Sequence, residues 1–180
     1  MIFIKKQSFS KQSDIIYKMK DNKFTTEDRH FMQMAIDLSI ENVANGGGPF
    51  GAVIVRDGEV VATDTNRVTA NNDPTAHAEV SAIRAACSKE QNFKLEGCIC
   101  YTSCEPCPMC LSALYWAGVS RIVYGNTKDD AKAINFDESF IYDEIAKPYA
   151  MRAIPCHNFM REEALAGFRA WSEKEDKIEY

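Results

Sequence analysis

The chain has no apolar run near the ~18 residues that a membrane-spanning helix requires. Its opening Met1-Ile2-Phe3-Ile4 gives way at once to Lys5-Lys6, an apolar piece too short and too early for a secretory signal. It lacks an even set of cysteines. There are seven, and five crowd into positions 98, 100, 104, 107 and 110. That disfavours a secreted disulfide framework and fits a reduced, metal-binding protein of the cytoplasm. It also lacks the basic surplus that nucleic-acid binders turn toward phosphates. Net charge is −5, and residues 1–24, with six Lys and two Asp, contribute +4, so the remainder carries −9. An acidic body argues against a large RNA or DNA substrate. No internal repeat is evident. What remains is one domain's length, 180 residues, with 46% hydrophobic content, enough for a core.

Residues 1–24 are rich in Lys, Ser and Gln without periodicity and read as a flexible extension; residues 25–180 read as the domain. Thr25-Thr26-Glu27-Asp28 resembles an N-cap. The helix it starts carries Phe31, Met34, Ala35, Leu38 and Ile40 mostly on one face and stops at Gly46-Gly47-Gly48-Pro49. Gly51-Ala52-Val53-Ile54-Val55 is a buried strand, Asp57-Gly58 a tight turn, and Val60-Val61-Ala62-Thr63 the returning strand. Helix and strand then alternate. Asp73-Pro74 starts a helix, Cys98 to Thr102 is a strand, Pro108 to Ala117 a helix closed by Gly118, and Arg121 to Gly125 a strand. Residues 136–147 and 159–174 read as helices, the latter with an apolar stripe of Leu165, Phe168 and Trp171. Such alternation predicts a mixed sheet covered by helices on both faces.

His77-Ala78-Glu79 and Pro106-Cys107-Pro108-Met109-Cys110 supply an imidazole, a carboxylate and two thiols. Cys107 and Cys110, three apart at a helix start, share a face, and a helix N-terminus favours the thiolate that zinc needs. Zinc held by His77, Cys107 and Cys110 would keep its fourth position open, the catalytic arrangement, and would acidify water there. Glu79, two residues from His77, is placed to carry that water's proton. The alternative is a closed structural knuckle in which Cys98, Cys100 or Cys104 joins Cys107 and Cys110. Against it, Cys98 and Cys100 suit burial as small apolar residues, and a knuckle gives Glu79 no task.

Asp73-Pro74-Thr75-Ala76-His77-Ala78-Glu79 and Cys104-Glu105-Pro106-Cys107-Pro108-Met109-Cys110 resemble the cytidine deaminase-like superfamily of zinc deaminases, in which H-x-E precedes P-C-x-x-C. The finer resemblance is to bacterial guanine deaminases. It rests on Gly48-Pro49-Phe50-Gly51-Ala52, Tyr101-Thr102-Ser103-Cys104, Leu114-Tyr115-Trp116-Ala117, residues 136–142 and the final Glu179-Tyr180. The segment after residue 130 looks like the guanine deaminase tail and lacks the basic terminal helix of tRNA-editing relatives.

The resemblance implies an α/β fold, a three-layer α-β-α sandwich with a mixed five-stranded sheet. It implies one zinc ion per subunit and hydrolysis of guanine to xanthine and ammonia. His77, Cys107 and Cys110 match its metal ligands and Glu79 its proton shuttle. Asn66 matches an asparagine on the purine, though it also reads as a turn residue. Phe50 would contact the base plane or simply fill the core, and Ala78 would offer its backbone N–H. Glu138 matches a second acid, with Asp137 as the rival for that place. Tyr180 matches a terminal tyrosine that closes the site of a partner, the segment from about residue 136 to 180 being exchanged in a domain-swapped homodimer. Three other readings stay open: a guanosine deaminase, a tRNA adenosine deaminase and a non-catalytic zinc-binding module.

Overall fold

The computed structural model describes residues 24–179, so Tyr180 and all of the amino-terminal extension but Phe24 lie outside the described residues. Helix α1 (Thr26–Ala44) begins where Thr25 and Asp28 form a reciprocal capping box. Its inner face is Asp28, Phe31, Ala35 and Ser39. Ile40, expected on that face, is 64% exposed, because it lies about 100° round the helix from Ser39.

Strands β1 (Gly51–Arg56) and β2 (Glu59–Thr65) form the expected hairpin about Asp57-Gly58. β1 pairs on its other side, also antiparallel, with β3 (Ile99–Cys104), and β3 pairs in parallel with β4 (Arg121–Asn126). The order is β2-β1-β3-β4, four strands among the described residues where five were expected. The difference arises after β4. There the chain turns into α5 (Lys128–Ala133), α6 (Ser139–Ala146), a 3₁₀ turn at Tyr149–Met151 and α7 (Arg161–Glu173), and no described strand pairs with the outer edge of β4.

The layering is the expected α-β-α. Val53 and Val55 of β1 pack with Tyr101 and Val123 against Phe31 and Ala35 of α1. Ala52 and Ile54 pack with Cys98 and Cys100 against Ala78, Ala82 and Ala86 of α3 (Ala78–Glu90) and against Leu114 and Ala117 of α4 (Pro108–Ala117). Burial on both faces explains why β1 reads as a continuous apolar run and not as an alternation. At Gly51 the strand presses on α1: a Cβ there would stand 2.5 Å from the carbonyl oxygen of Ala35.

Asp28 ties α1 to the sheet. Its carboxylate accepts from the Tyr101 hydroxyl (2.8 Å), from Arg121 (2.9 Å) and from the Thr25 N–H (2.8 Å). Burial alone pushes this carboxyl up, but the bonds from Thr25 and Tyr101, with Arg121, outweigh it and hold the group below its ordinary 3.8. The depressed carboxyl therefore stabilises the fold above pH 3.8, and that contribution is lost as pH falls through the lower folded-state value. Asp28→Asn should cost about 3 kcal/mol near neutrality, since Arg121 loses its counter-charge. Urea unfolding at a series of pH values checks this: the gap between wild type and variant should narrow in acid. A gap of constant size would show that the charge is not its source.

Candidate active site

Two helix starts meet over the carboxyl end of β3. His77 is the N-cap of α3 and Cys107 the N-cap of α4; neither side chain caps its own helix, so both are free to turn toward each other. The helix expected from Asp73-Pro74 starts later, at Ala78. The Asp73 carboxylate instead accepts from the Thr75 N–H (2.8 Å) and hydroxyl (2.7 Å), closing a turn that delivers His77 in extended conformation. Cys110 lies in the first turn of α4 and is fully buried.

Nδ1 of His77 stands 3.6 Å from the sulfur of Cys107 and 3.5 Å from that of Cys110. Tetrahedral zinc, with bonds of ~2.3 Å to sulfur and ~2.05 Å to nitrogen, would separate such donors by about 3.6 Å. All three ligand atoms lie within 4.8 Å of one another, and among the described residues no other group of three His, Cys, Asp or Glu side chains does so. The residues present fit the metal. They also share protons awkwardly without it. The contact with Cys110, with His77, holds the Cys107 thiol well below its ordinary range, while the same contact and burial hold Cys110 up. His77 is raised, chiefly by Cys107. The all-cysteine knuckle is excluded: Cys98 and Cys100 are buried in the core, and Cys104, whose thiol burial pushes up to about 12, stands outside the group.

Glu79, in the first turn of α3, is 6% exposed, and burial raises its carboxyl above the ordinary carboxylate value. Thr102 donates to its Oε1 at 3.1 Å. Thr102 was read from the sequence as a strand residue and given no role at the site, although the alternation of β3 places it on the same face as Cys100, toward α3.

A cavity of about 560 Å³ opens beside these groups, lined among others by Phe50, Asn66, His77, Glu79, Cys107 and Glu138. Asn66 is buried at the end of β2, where its Oδ1 also accepts from the Val68 N–H (3.3 Å), so it is a turn residue and a wall residue at once. Phe50 packs on the core and meets the Phe136 ring edge-on, with centroids 5.0 Å apart. Phe136 was missed as a wall, its neighbouring acids having drawn attention instead. Ala78 is buried in the core and does not line the cavity.

Asp137 and Glu138 both reach the rim but differ in environment. Asp137 accepts from the Ser139 N–H and hydroxyl and pairs with Lys132, which lowers its carboxyl to about 2. Glu138 has a buried Oε1 without a hydrogen-bond partner, and burial, with Cys107 and Glu79 nearby, raises it to about 7. Tyr142 of α6 donates to the Pro106 carbonyl (3.4 Å), anchoring this segment against the cysteine loop.

The profile of the cytidine and deoxycytidylate deaminase zinc-binding region matches residues 25–126. The chain is 51% identical to a guanine deaminase of Bacillus subtilis, over 83% of this chain and 97% of that one. A solved structure of the guanine deaminase from Bacillus subtilis superposes with a TM-score of 0.83 at 49% identity, covering 87% of this chain and 99% of that one. A tRNA-specific adenosine deaminase of Agrobacterium fabrum is 40% identical over 55% of this chain and 65% of its own length.

Metal analysis of purified variants tests the ligand set. Wild type and Glu79→Ala should each carry one zinc per chain, whereas His77→Ala and Cys110→Ser should carry almost none. Loss of zinc from Glu79→Ala would make that carboxylate a ligand.

Proposed function

The chain belongs to the cytidine and deoxycytidylate deaminase zinc-binding family, and on that premise we propose that it hydrolyses guanine to xanthine and ammonia. The observation that carries the reading is the pairing of a three-donor zinc site with a buried Glu79, whose carboxyl burial raises, on a cavity that has the size of a small-ligand pocket. Similarity to the Bacillus subtilis guanine deaminase spans nearly that whole protein, including the segment after residue 126 that carries Glu138.

When bound, zinc supplies a Lewis acid that acidifies water at neutral pH. The chain's own residues do the rest. Asn66, which lines the cavity, holds a polar edge of the base. The rings of Phe50 and Phe136 wall the cavity. Glu79, raised by burial, takes a proton from water and passes it to N3 of the ring while a C–O bond forms at C2. The resulting tetrahedral carbon then loses its amino group: Glu79 takes the remaining proton of the new C2 hydroxyl and gives it to the amine, the C2 carbonyl forms, the C2–N bond breaks and ammonia leaves. Glu138, half protonated near neutrality and with a free buried oxygen, is suited to assist at the amine. Asp137, committed to Ser139 and Lys132, is not.

Ultraviolet assays with guanine, guanosine, adenine and an RNA hairpin in parallel test the substrate. Guanine should be consumed and the other three left largely intact; hydrolysis of guanosine but not guanine would sink the free-base reading, and zinc without turnover of any substrate would favour a binding module. In the same assay Glu79→Ala and Glu138→Gln should lose at least about 100-fold in kcat, and Asp137→Asn little.

The carboxyl-terminal segment supports a homodimer that exchanges it. From Lys147 to Glu179 no residue is buried, and Ile154, Phe159 and Phe168 are each three-quarters exposed or more. Beside the open edge of β4 lies a groove of about 340 Å³, lined by Phe24, Met32, Ile36, Val123 and Tyr124. A strand from a second copy's tail would cover that groove and complete a five-stranded sheet, with Tyr180 closing the neighbouring site. The seven free cysteines suit a reducing cytoplasm. Light scattering should give twice the chain mass at micromolar concentration, and deletion of Tyr180 should impair turnover without unfolding the domain. A monomer, or unchanged kinetics after the deletion, would refute the exchange.

A further inference from the structure

Asn42, in the last turn of α1, stands behind the cavity wall and does not line it. Its Nδ2 donates to two backbone carbonyls at once, Gly48 at 2.8 Å and Asn66 at 2.9 Å. Its own backbone carbonyl accepts from the Gly47 N–H at 2.8 Å. Gly47, Gly48 and Asn66 all line the cavity. One residue of α1 thus fastens the loop that follows the helix to the far end of β2.

The surrounding chain is shaped to this arrangement. A Cβ on Gly47 would collide with the Asn42 amide, and one on Gly48 would press within 3.3 Å of the Asn66 side chain. The Asn66 amide has one side-chain hydrogen bond among the described residues, the 3.3 Å bond from Val68, which is long for an N–H donor. The aim of that amide therefore depends on where the Asn66 backbone is held. The Asn66 N–H donates to Phe50 (3.0 Å), and its carbonyl is held by Asn42.

We propose that Asn42 is a positioning residue: it fixes the Asn66 amide and the Gly47-Gly48 wall at the spacing of the bound base, and so sets substrate affinity without touching the substrate. This rests on the reading of the cavity as a guanine site. Asn42 hydrogen-bonds to none of the three metal donors nor to Glu79, so its effect falls on binding and not on the proton-transfer step. Removing a shared donor leaves two carbonyls without their partner and frees both wall segments to drift.

Asn42→Ala deletes the donor; Asn42→Asp, of nearly the same shape, also turns an oxygen toward the carbonyls. KM for guanine should rise roughly tenfold in Asn42→Ala and further in Asn42→Asp, with kcat within about twofold of wild type. The inhibition constant of xanthine, which reports binding without chemistry, should rise in step with KM. Zinc content and far-ultraviolet circular dichroism should match wild type. Should Asn42→Asp fail to fold, Asn42→Ala introduces no repulsion and reads the same two constants. A lowered unfolding temperature with KM and xanthine inhibition unchanged would mean a purely structural role and would overturn the proposal. Absence of guanine turnover in the wild type would overturn instead the functional reading beneath it.

Discussion

Three groups that compete for protons are held within van der Waals reach of one another: the imidazole of His77 and the thiols of Cys107 and Cys110. A divalent cation resolves that competition, because it takes the place of the protons and satisfies all three donors in one geometry. The placement comes from the sheet. β3 lies between β1 and β4, and the helices that precede and follow it, α3 and α4, cover the same face. Their N-termini converge at the carboxyl end of β3, where ligands of α/β sheets commonly bind. His77 and Cys107 are both N-caps that forgo capping, a local cost of about 1 kcal/mol each that the metal would offset.

Around that centre, burial decides which carboxyls are held above their ordinary range. Glu79 and Glu138 are both pushed up by loss of water, and Glu138 keeps a buried oxygen without a hydrogen-bond partner. Asp137 differs from Glu138 by one position and one methylene, yet its turn bonds and Lys132 hold it firmly ionised. Sequence proximity could not separate these two acids; solvent exposure and hydrogen bonding do. The structural acid, Asp28, is the reverse case, buried but bonded on several sides and so kept charged at the opposite face of the sheet.

Most of the fold was legible. The hairpin at Asp57-Gly58, the double-sided burial of β1 and the helix ending at Gly118 follow from turn chemistry and from periods of two and 3.6. The start of α3 was not, because Asp73-Pro74 is an equally good helix start and a turn. Which it becomes is set by the Arg67 N–H donating to Ala76, a contact between segments that local pattern does not encode. The fifth strand was an inference from resemblance, and no described segment pairs with the outer edge of β4. Thr102, Phe136 and Asn42 were missed because an alternating strand, a loop and a polar helix end each offer several equivalent positions.

The sequence by itself determined the chemistry: His77, Glu79, Cys107 and Cys110 are residue types whose spacing relative to two helix starts leaves few other uses. It determined the layers too, since apolar periodicity dictates which faces must be buried. Only the tertiary structure decided the walls of the cavity, the separation of Glu138 from Asp137 and the bracing of Asn66 by Asn42. The reason is physical. Those properties depend on distance and water exclusion between segments remote in the chain, Asn42 and Asn66 being 24 residues apart, and no local pattern records which remote carbonyl a side-chain amide will reach.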